Sequence, residues 1–195
     1  MQPFRQKLRE ATRSQHEATE SLLFPHQSWE TFSLQNYREF MTVQYVFHTH
    51  TERVIDDALG PELKERLHWQ QRRKLLSIQN DLAELSSGKP TITEYALPLA
   101  SEAEAIGYLY VTEGSTLGGR MISKALSENE QIATHCSFRF LNVYGTETGR
   151  YWKEFLDVLS KEITADQEET VITAAQRAFG LFAQSVNFVR DKALA

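Results

Sequence analysis

The stretch YLYVTEGSTLGGRM, residues 108 to 121, puts Gly114, Gly118 and Gly119 within six positions, between flanks that read as helix. A glycine inside a helix costs about 1 kcal/mol relative to alanine, so three of them cost on the order of 3 kcal/mol unless something offsets it. That is a large share of the ~5–15 kcal/mol that keeps a domain folded. Three arrangements would account for them. The helix ends at Glu113, or a second helix approaches closely, or a flat ligand lies against the backbone at Gly114 and Gly118, which are four apart and share a face. Helix formers resume at once in RMISKAL, which weakens the first of these. A second group with chemistry in it lies near the N-terminus, in LREATRSQHEATE. His16 falls on the same helical face as Leu8, Thr12, Thr19 and Leu23, and so is expected to point inward. A lone histidine in such a place is more often a hydrogen-bonded core residue than a metal ligand. Glu20, one turn later, is placed to accept the second ring N–H and so orient the imidazole for ligation. Arg9 and Arg13 lie seven and three residues before His16, on roughly the same side. By themselves they read as a solvated flank.

These residues need helices to hold them, and the periodicity supplies little else. One helix is predicted from Pro3 to about Leu23. A second starts near Leu34, capped by Ser33 or Asn36, and stops at Gly60-Pro61. A third covers about Pro61 to Leu85, before the break SSGKP. The fourth, from about Leu97 or Ser101 to Leu126, carries the glycines. Two more follow in YGTETGRYWKEFLDVLSKEI and in TADQEETVITAAQRAFGLFAQSVNFVRDKAL, the last capped by Thr164 or Asp166. The expectation is an all-α bundle of about six main helices forming one domain over residues 1–195. A chain of 195 residues with 41% hydrophobic content can bury a sizeable core. The net charge of -5, with no dense basic block, argues against nucleic acid as a partner. The single cysteine, Cys136, rules out a disulfide framework within the chain and a cysteine-held cluster. No run approaches eighteen apolar residues and the first twenty lack the apolar core of a signal peptide, so a soluble cytoplasmic protein with no membrane partner is expected.

LREATRSQHEATE and YLYVTEGSTLGGRM together resemble the proximal and distal helices of heme oxygenases. The resemblance is to the bacterial branch that includes bacteriophytochrome-associated and heme-uptake enzymes, and the length, helix order and motif spacing extend it over essentially the whole chain. It implies a heme-oxygenase-like helical bundle with heme between the first helix and a kinked, glycine-rich one. His16 then matches the iron ligand and Glu20 its hydrogen-bonding partner. Gly114 and Gly118, with Gly119 beside them, match the distal residues whose backbone packs over the heme. Arg9 and Arg13 match basic positions that meet the propionates, and Lys153 resembles another; Arg150 and Arg177 are further candidates. Tyr110 and Phe179 are expected to line the pocket. The implied reaction uses heme as substrate and cofactor, with O2 and electrons, and opens the ring at a meso carbon to biliverdin, carbon monoxide and ferrous iron. No GxGxxG fingerprint is present, so the electrons are expected from a ferredoxin, a flavodoxin-like protein or a reductase. The implied role is bacterial iron acquisition or chromophore supply, by a monomer or weak dimer.

Two departures from the family pattern stand out. Many members carry an aspartate directly after the first distal glycine, where it anchors waters that deliver protons to the oxygen being activated; here Ser115 holds that place. Asp157 follows Lys153 by one turn, where some relatives carry a basic residue, and would repel a propionate. The Ser115 change keeps one rival reading open, a heme-binding or heme-storage protein without turnover. A second rival is a non-heme relative of the same broad fold, a thiamine-salvage type hydrolase or a di-iron oxygenase. A di-iron site needs several inward glutamates with paired Glu-x-x-His motifs, and a hydrolase needs an activated cysteine. His26, His48, His50, His68 and His135 offer no evident shared ligand geometry.

Overall fold

In the computed structural model, residues 3–23, 28–92 and 98–193 are described; His26 and the alternative helix start at Leu97 lie outside them. The described residues form eleven α-helices and two short 3-10 turns, with no strand among them. The predicted first helix is two: α1 (Phe4–Ala11) and α2 (Arg13–Leu23). They meet at Thr12, whose hydroxyl donates to the Leu8 carbonyl at 2.8 Å and competes with the backbone ladder at that turn. Helix α3 (Leu34–Ala58) begins as expected, and Ser33, not Asn36, is the cap, accepting from the Asn36 N–H at 3.0 Å.

The predicted third helix is three pieces: α4 (Pro61–Arg66), α5 (Trp69–Arg72) and α6 (Leu75–Glu84). His68 takes a left-handed conformation at φ 50°, so the helix cannot run through it. The Arg72 guanidinium Nε then donates to the freed Leu67 carbonyl at 2.5 Å. The chain's one Glu-x-x-His spacing, Glu65 to His68, straddles this break and does not lie on a single helix face.

Helix α7 (Glu102–Gly114) starts at Ser101, which accepts from Glu104 N–H at 3.3 Å while the Glu104 carboxylate reaches back to Ala100 N–H at 2.6 Å. Helix α8 (Thr116–Ser127) continues it after a break at Ser115, and the short α9 (Glu130–Ala133) follows. Helices α10 (Thr148–Glu162) and α11 (Glu168–Ala193) complete the chain. Neither Thr164 nor Asp166 stands directly before α11; the Gln167 side chain reaches back to the Thr164 N–H at 3.1 Å instead.

Helix α11 packs along α7, α3 and α2. Its contact with α7 is backbone to backbone: a methyl at Gly107 would lie 2.5 Å from the Val171 carbonyl oxygen and 2.6 Å from Ala174 Cβ. Small residues Ala174, Ala175 and Ala178 complete that seam, all buried. Two apolar cores result. One joins α3, α7, α10 and α11 through Phe47, Ile106, Phe155 and Phe182. The other joins the start of α3 to α6 and the 132–141 segment through Tyr37, Met41, Leu82 and Ile132. The buried Asp81 carboxylate fixes that segment by accepting the backbone N–H groups of Arg139 at 3.0 Å and Phe140 at 2.9 Å.

Candidate functional site

Between the two cores lies a cavity of about 980 Å³, at the upper end of the ~300–1,000 Å³ usual for small-molecule and cofactor sites. Phe32, Phe40 and Phe140 from one core and Phe47, Phe179 and Phe182 from the other line it. Its remaining wall comes from α1–α2 and from the α7–α8 break. Both motifs singled out in the sequence therefore border one space.

On the α2 side, His16 differs from the sequence expectation in one respect. It faces the cavity but is not buried, its side chain being 60% exposed. Its Nδ1 stands 3.7 Å from the Glu20 carboxylate, and its ring meets Phe179 edge to face with centroids 6.1 Å apart. The imidazole is thus oriented from behind and from the side, with access to the cavity. Arg9 and Arg13 are exposed at the cavity wall, and among the described residues neither has an ion-pair partner. Two unpaired guanidinium groups beside an apolar space suit a ligand with an apolar body and anionic ends.

The four glycines of α7 and α8 divide into two kinds. Gly107 and Gly119 are required by packing: a methyl at Gly119 would sit 2.5 Å from the Leu141 carbonyl oxygen. At Gly118 an added methyl meets no heavy atom of the described residues within 4 Å, and at Gly114 it comes no closer than 3.7 Å to Trp152, an ordinary contact. Gly114 and Gly118 both border the cavity. Among the described residues no contact accounts for their lack of a side chain, and a ligand plane against the helix would. Close approach therefore accounts for Gly107 and Gly119 and leaves Gly114 and Gly118 to another explanation.

The break at Ser115 is mild. Its N–H still donates to the Val111 carbonyl at 3.1 Å, and hydroxyls bridge the turn, Ser115 to the Thr112 carbonyl at 3.0 Å and Thr116 to the Glu113 carbonyl at 2.7 Å. The Ser115 hydroxyl proton is thus engaged, leaving its oxygen as an acceptor toward the cavity. Tyr110 is half-buried at the wall; burial pushes its hydroxyl's pKa up, while Thr12 and the charge of Arg9 pull it down.

The remaining cations stand elsewhere. Lys153 is on the exposed side of α10 and does not border the cavity. Arg150 is tied to Glu147 and Glu154 at 2.6 and 2.7 Å, and Arg177 to Glu104 at 3.0 Å. Asp157 pairs with Arg5 at 3.2 Å, so the expected repulsion within the site has no counterpart in this geometry. Cys136 is buried against the Tyr37 hydroxyl at 3.8 Å and its thiol is pushed up to about 11, chiefly by burial, the opposite of an activated thiolate.

Sequence reasoning missed several wall residues, among them Gln44, Trp152, Leu117 and Met121. The last two are 45% and 76% exposed, and their apolar character on either side of Gly118 was a usable signal. It also missed a charged cluster directly behind Gly114. Glu113 is fully buried, pairs with Arg72, lies 2.6 Å from Lys74 Nζ and accepts from the Tyr144 hydroxyl at 2.9 and 3.1 Å. Burial and the Glu113 charge together push the Tyr144 hydroxyl's pKa upward.

The fold and site define a class: an all-helical protein whose cavity is bordered by a histidine, two arginines and a glycine-bare stretch of helix. The chain belongs to the heme oxygenase family, whose family model matches residues 2–187. It is 31% identical to heme oxygenase PigA of Pseudomonas aeruginosa over 189 residues, covering 91% of this chain and 88% of that protein. It is 34% identical to a heme oxygenase of Xanthomonas campestris over 115 residues, 58% of this chain and 67% of the relative. Among solved structures, heme oxygenase from Neisseria meningitidis, bound to NO and CO, superposes with a TM-score of 0.79 at 24% identity, covering 97% and 92% of the two chains. The heme-bound heme oxygenase-1 of Synechocystis gives 0.69 at 12% identity, covering 98% and 94%.

Proposed function

We propose that this chain binds heme in the cavity bordered by His16 and Gly118 and cleaves it to biliverdin, carbon monoxide and ferrous iron, with O2 and externally supplied electrons. The observation that carries the reading is the pair of cavity glycines, Gly114 and Gly118, whose missing side chains no contact among the described residues explains. Heme, when bound, supplies the redox and oxygen chemistry. The protein's own residues bind, orient and admit protons. His16 would offer its imidazole to the iron, oriented by Glu20 and Phe179. Arg9 and Arg13 meet the propionates, and Tyr110 and Phe179 bound the macrocycle. Lys153 is left out of this set. Gly114, Ser115 and Gly118 admit the macrocycle and oxygen close to backbone, and the Ser115 oxygen accepts a hydrogen bond from water at that wall. A ferredoxin, flavodoxin-like protein or reductase delivers electrons at the exposed mouth, and the chain works in the cytoplasm as a monomer or weak dimer. Incubating the protein with heme, O2 and a reductant tests the reading. Conversion to biliverdin is expected, and chromatography of the isomers separates iron acquisition from chromophore supply. A stable ferrous heme spectrum with no biliverdin would sink it in favour of heme storage.

A further inference from the structure

Two large apolar side chains, Leu117 and Met121, stand exposed on one face of α8, four residues apart. Both also border the cavity, so together they form an apolar lip at its mouth, wetted on one side and facing the ligand space on the other. Leucine in such a place supplies apolar surface alone. Methionine adds a thioether, which peroxide oxidises to a polar, chiral sulfoxide and dedicated reductases restore. Met121, 76% exposed, is open to such chemistry. The other sulfur groups are placed differently. The chain holds three methionines and one cysteine. Met1 lies outside the described residues, and Met41 is fully buried in the core that joins α3 to α6. Cys136 is buried as well, its thiol far from the reactive thiolate, and neither Met41 nor Cys136 borders the cavity. A reactive sulfur thus stands where an oxidant leaving the cavity passes.

We propose that Met121 is a reversible oxidation site at which hydrogen peroxide leaving the cavity forms a sulfoxide, and that the sulfoxide loosens the hold on heme. The inference rests on the heme oxygenase reading, which brings O2 and electrons to this cavity. Oxygen that takes up two electrons and two protons there, and departs before reaching a meso carbon, is hydrogen peroxide. The Met121 sulfur gives an electron pair to one peroxide oxygen and the O–O bond breaks. That oxygen stays on sulfur, and the other leaves as water with both peroxide hydrogens. Sulfur is oxidised by two electrons and peroxide is reduced by two. The lip then carries a polar group where it had covered the apolar body of the ligand, so apolar burial is lost. A methionine sulfoxide reductase removes the oxygen as water while two thiols become a disulfide, and the lip is apolar again. Loss of electrons to peroxide therefore lowers heme occupancy until the thioether is restored.

Two measurements test it. The heme-free full chain is treated with hydrogen peroxide and digested with trypsin, which releases residues 121–124 and 39–53, so mass spectrometry follows Met121 and Met41 together. Met121 should gain oxygen at least about tenfold faster than Met41, since susceptibility follows exposure. Heme affinity of the oxidised protein, read by absorbance titration, should fall about fourfold, the contribution of one buried methylene group, and return after treatment with the two sulfoxide reductases, one for each epimer. Met121→Leu, compared with itself before and after peroxide, should show no fall. Equal oxidation of Met121 and Met41, unchanged affinity after oxidation, or the same fall in Met121→Leu would refute the proposal. In the second measurement, heme, O2 and a reductant are supplied with catalase present to clear peroxide from solution. Sulfoxide should still form at Met121, faster than in the same mixture without heme, and equal rates would overturn delivery from the cavity. If the wild-type protein makes no biliverdin, the enzyme reading fails by itself, while oxidation and heme affinity in the first measurement still judge Met121.

Discussion

Substituting the neighbouring glycines of α8 separates ligand space from packing space. In Gly118→Ala the new methyl meets nothing within 4 Å, so only the backbone preference changes. Alanine in place of a helical glycine gains about 0.5–1 kcal/mol. For a chain of 195 residues, where 1 kcal/mol moves the midpoint by about 2–4 °C, the heme-free variant should melt about 1–4 °C higher. Heme affinity and turnover should fall, because the methyl occupies the plane of the ligand. In Gly119→Ala the methyl would lie 2.5 Å from the Leu141 carbonyl oxygen, nearly 1 Å inside ordinary contact. Overpacking of this kind costs about 1–3 kcal/mol against the same backbone gain, a net loss of up to about 2 kcal/mol. The midpoint should then drop by as much as about 4–8 °C. Differential scanning calorimetry of the heme-free proteins and heme titration followed by absorbance read the two effects separately. A destabilised Gly118→Ala, or one that binds and degrades heme normally, would refute the division of the glycines.

Three further expectations follow from the same geometry. His16→Ala should abolish the imidazole-type iron spectrum and turnover while leaving the heme-free melting temperature within about 1 °C, because the side chain is 60% exposed and touches the core only at the edge of Phe179; an unchanged heme absorption band would mean another residue ligates the iron. Arg72→Leu strips one partner from the fully buried Glu113 carboxylate and should cost about 3–5 kcal/mol, read from urea unfolding of the heme-free protein; a loss under about 1 kcal/mol would show that Lys74 and Tyr144 satisfy the carboxylate by themselves. Stability should fall on acidification from about pH 7 to 5, because the unfolded chain binds a proton on His48 near pH 6.5 while the folded chain, where burial lowers its affinity, does not. His48→Leu should flatten that slope in thermal melts across this range, and an unchanged slope would assign it to other groups.

The fold was largely legible because most helices carry their own punctuation. Ser33, Gly60-Pro61 and Ser101 mark boundaries that the structure keeps. What periodicity could not reveal were the interruptions. Thr12, His68 and Ser115 are unremarkable in a helical pattern, and each break is stabilised by a hydrogen bond specific to its place: the Thr12 hydroxyl to Leu8, Arg72 to Leu67, and Ser115 to Thr112. His16, Gly114, Gly118, Arg9 and Arg13 border one cavity, and residue type and spacing alone had set them apart. Lys153 does not border it, because position along α10 does not tell which side of that helix meets the cavity. The Glu113 cluster was invisible for a different reason. Its charges come from three separate segments, around 72–74, 113 and 144, and a charge in sequence reads as solvated until the fold shows it buried.

That cluster also explains how the glycine-rich wall holds its shape. A helix with three glycines in six positions is locally weak, and a ligand wall that shifts by about 1 Å loses its geometry. Here the last turn of α7 is fixed from behind. Glu113 is tied to the α5–α6 connection through Arg72 and Lys74 and to the turn before α10 through Tyr144, which stacks on Tyr151 with centroids 4.1 Å apart. The carboxylate sits one residue before Gly114 and therefore about 100° around the helix from it, so the anchor points away from the ligand while the bare backbone points toward it. Rigidity and clearance are thus assigned to adjacent residues. The same assignment has a chemical consequence, since the acidic group nearest Gly114 is locked into structure. At this wall the Ser115 oxygen remains able to accept a hydrogen bond from water.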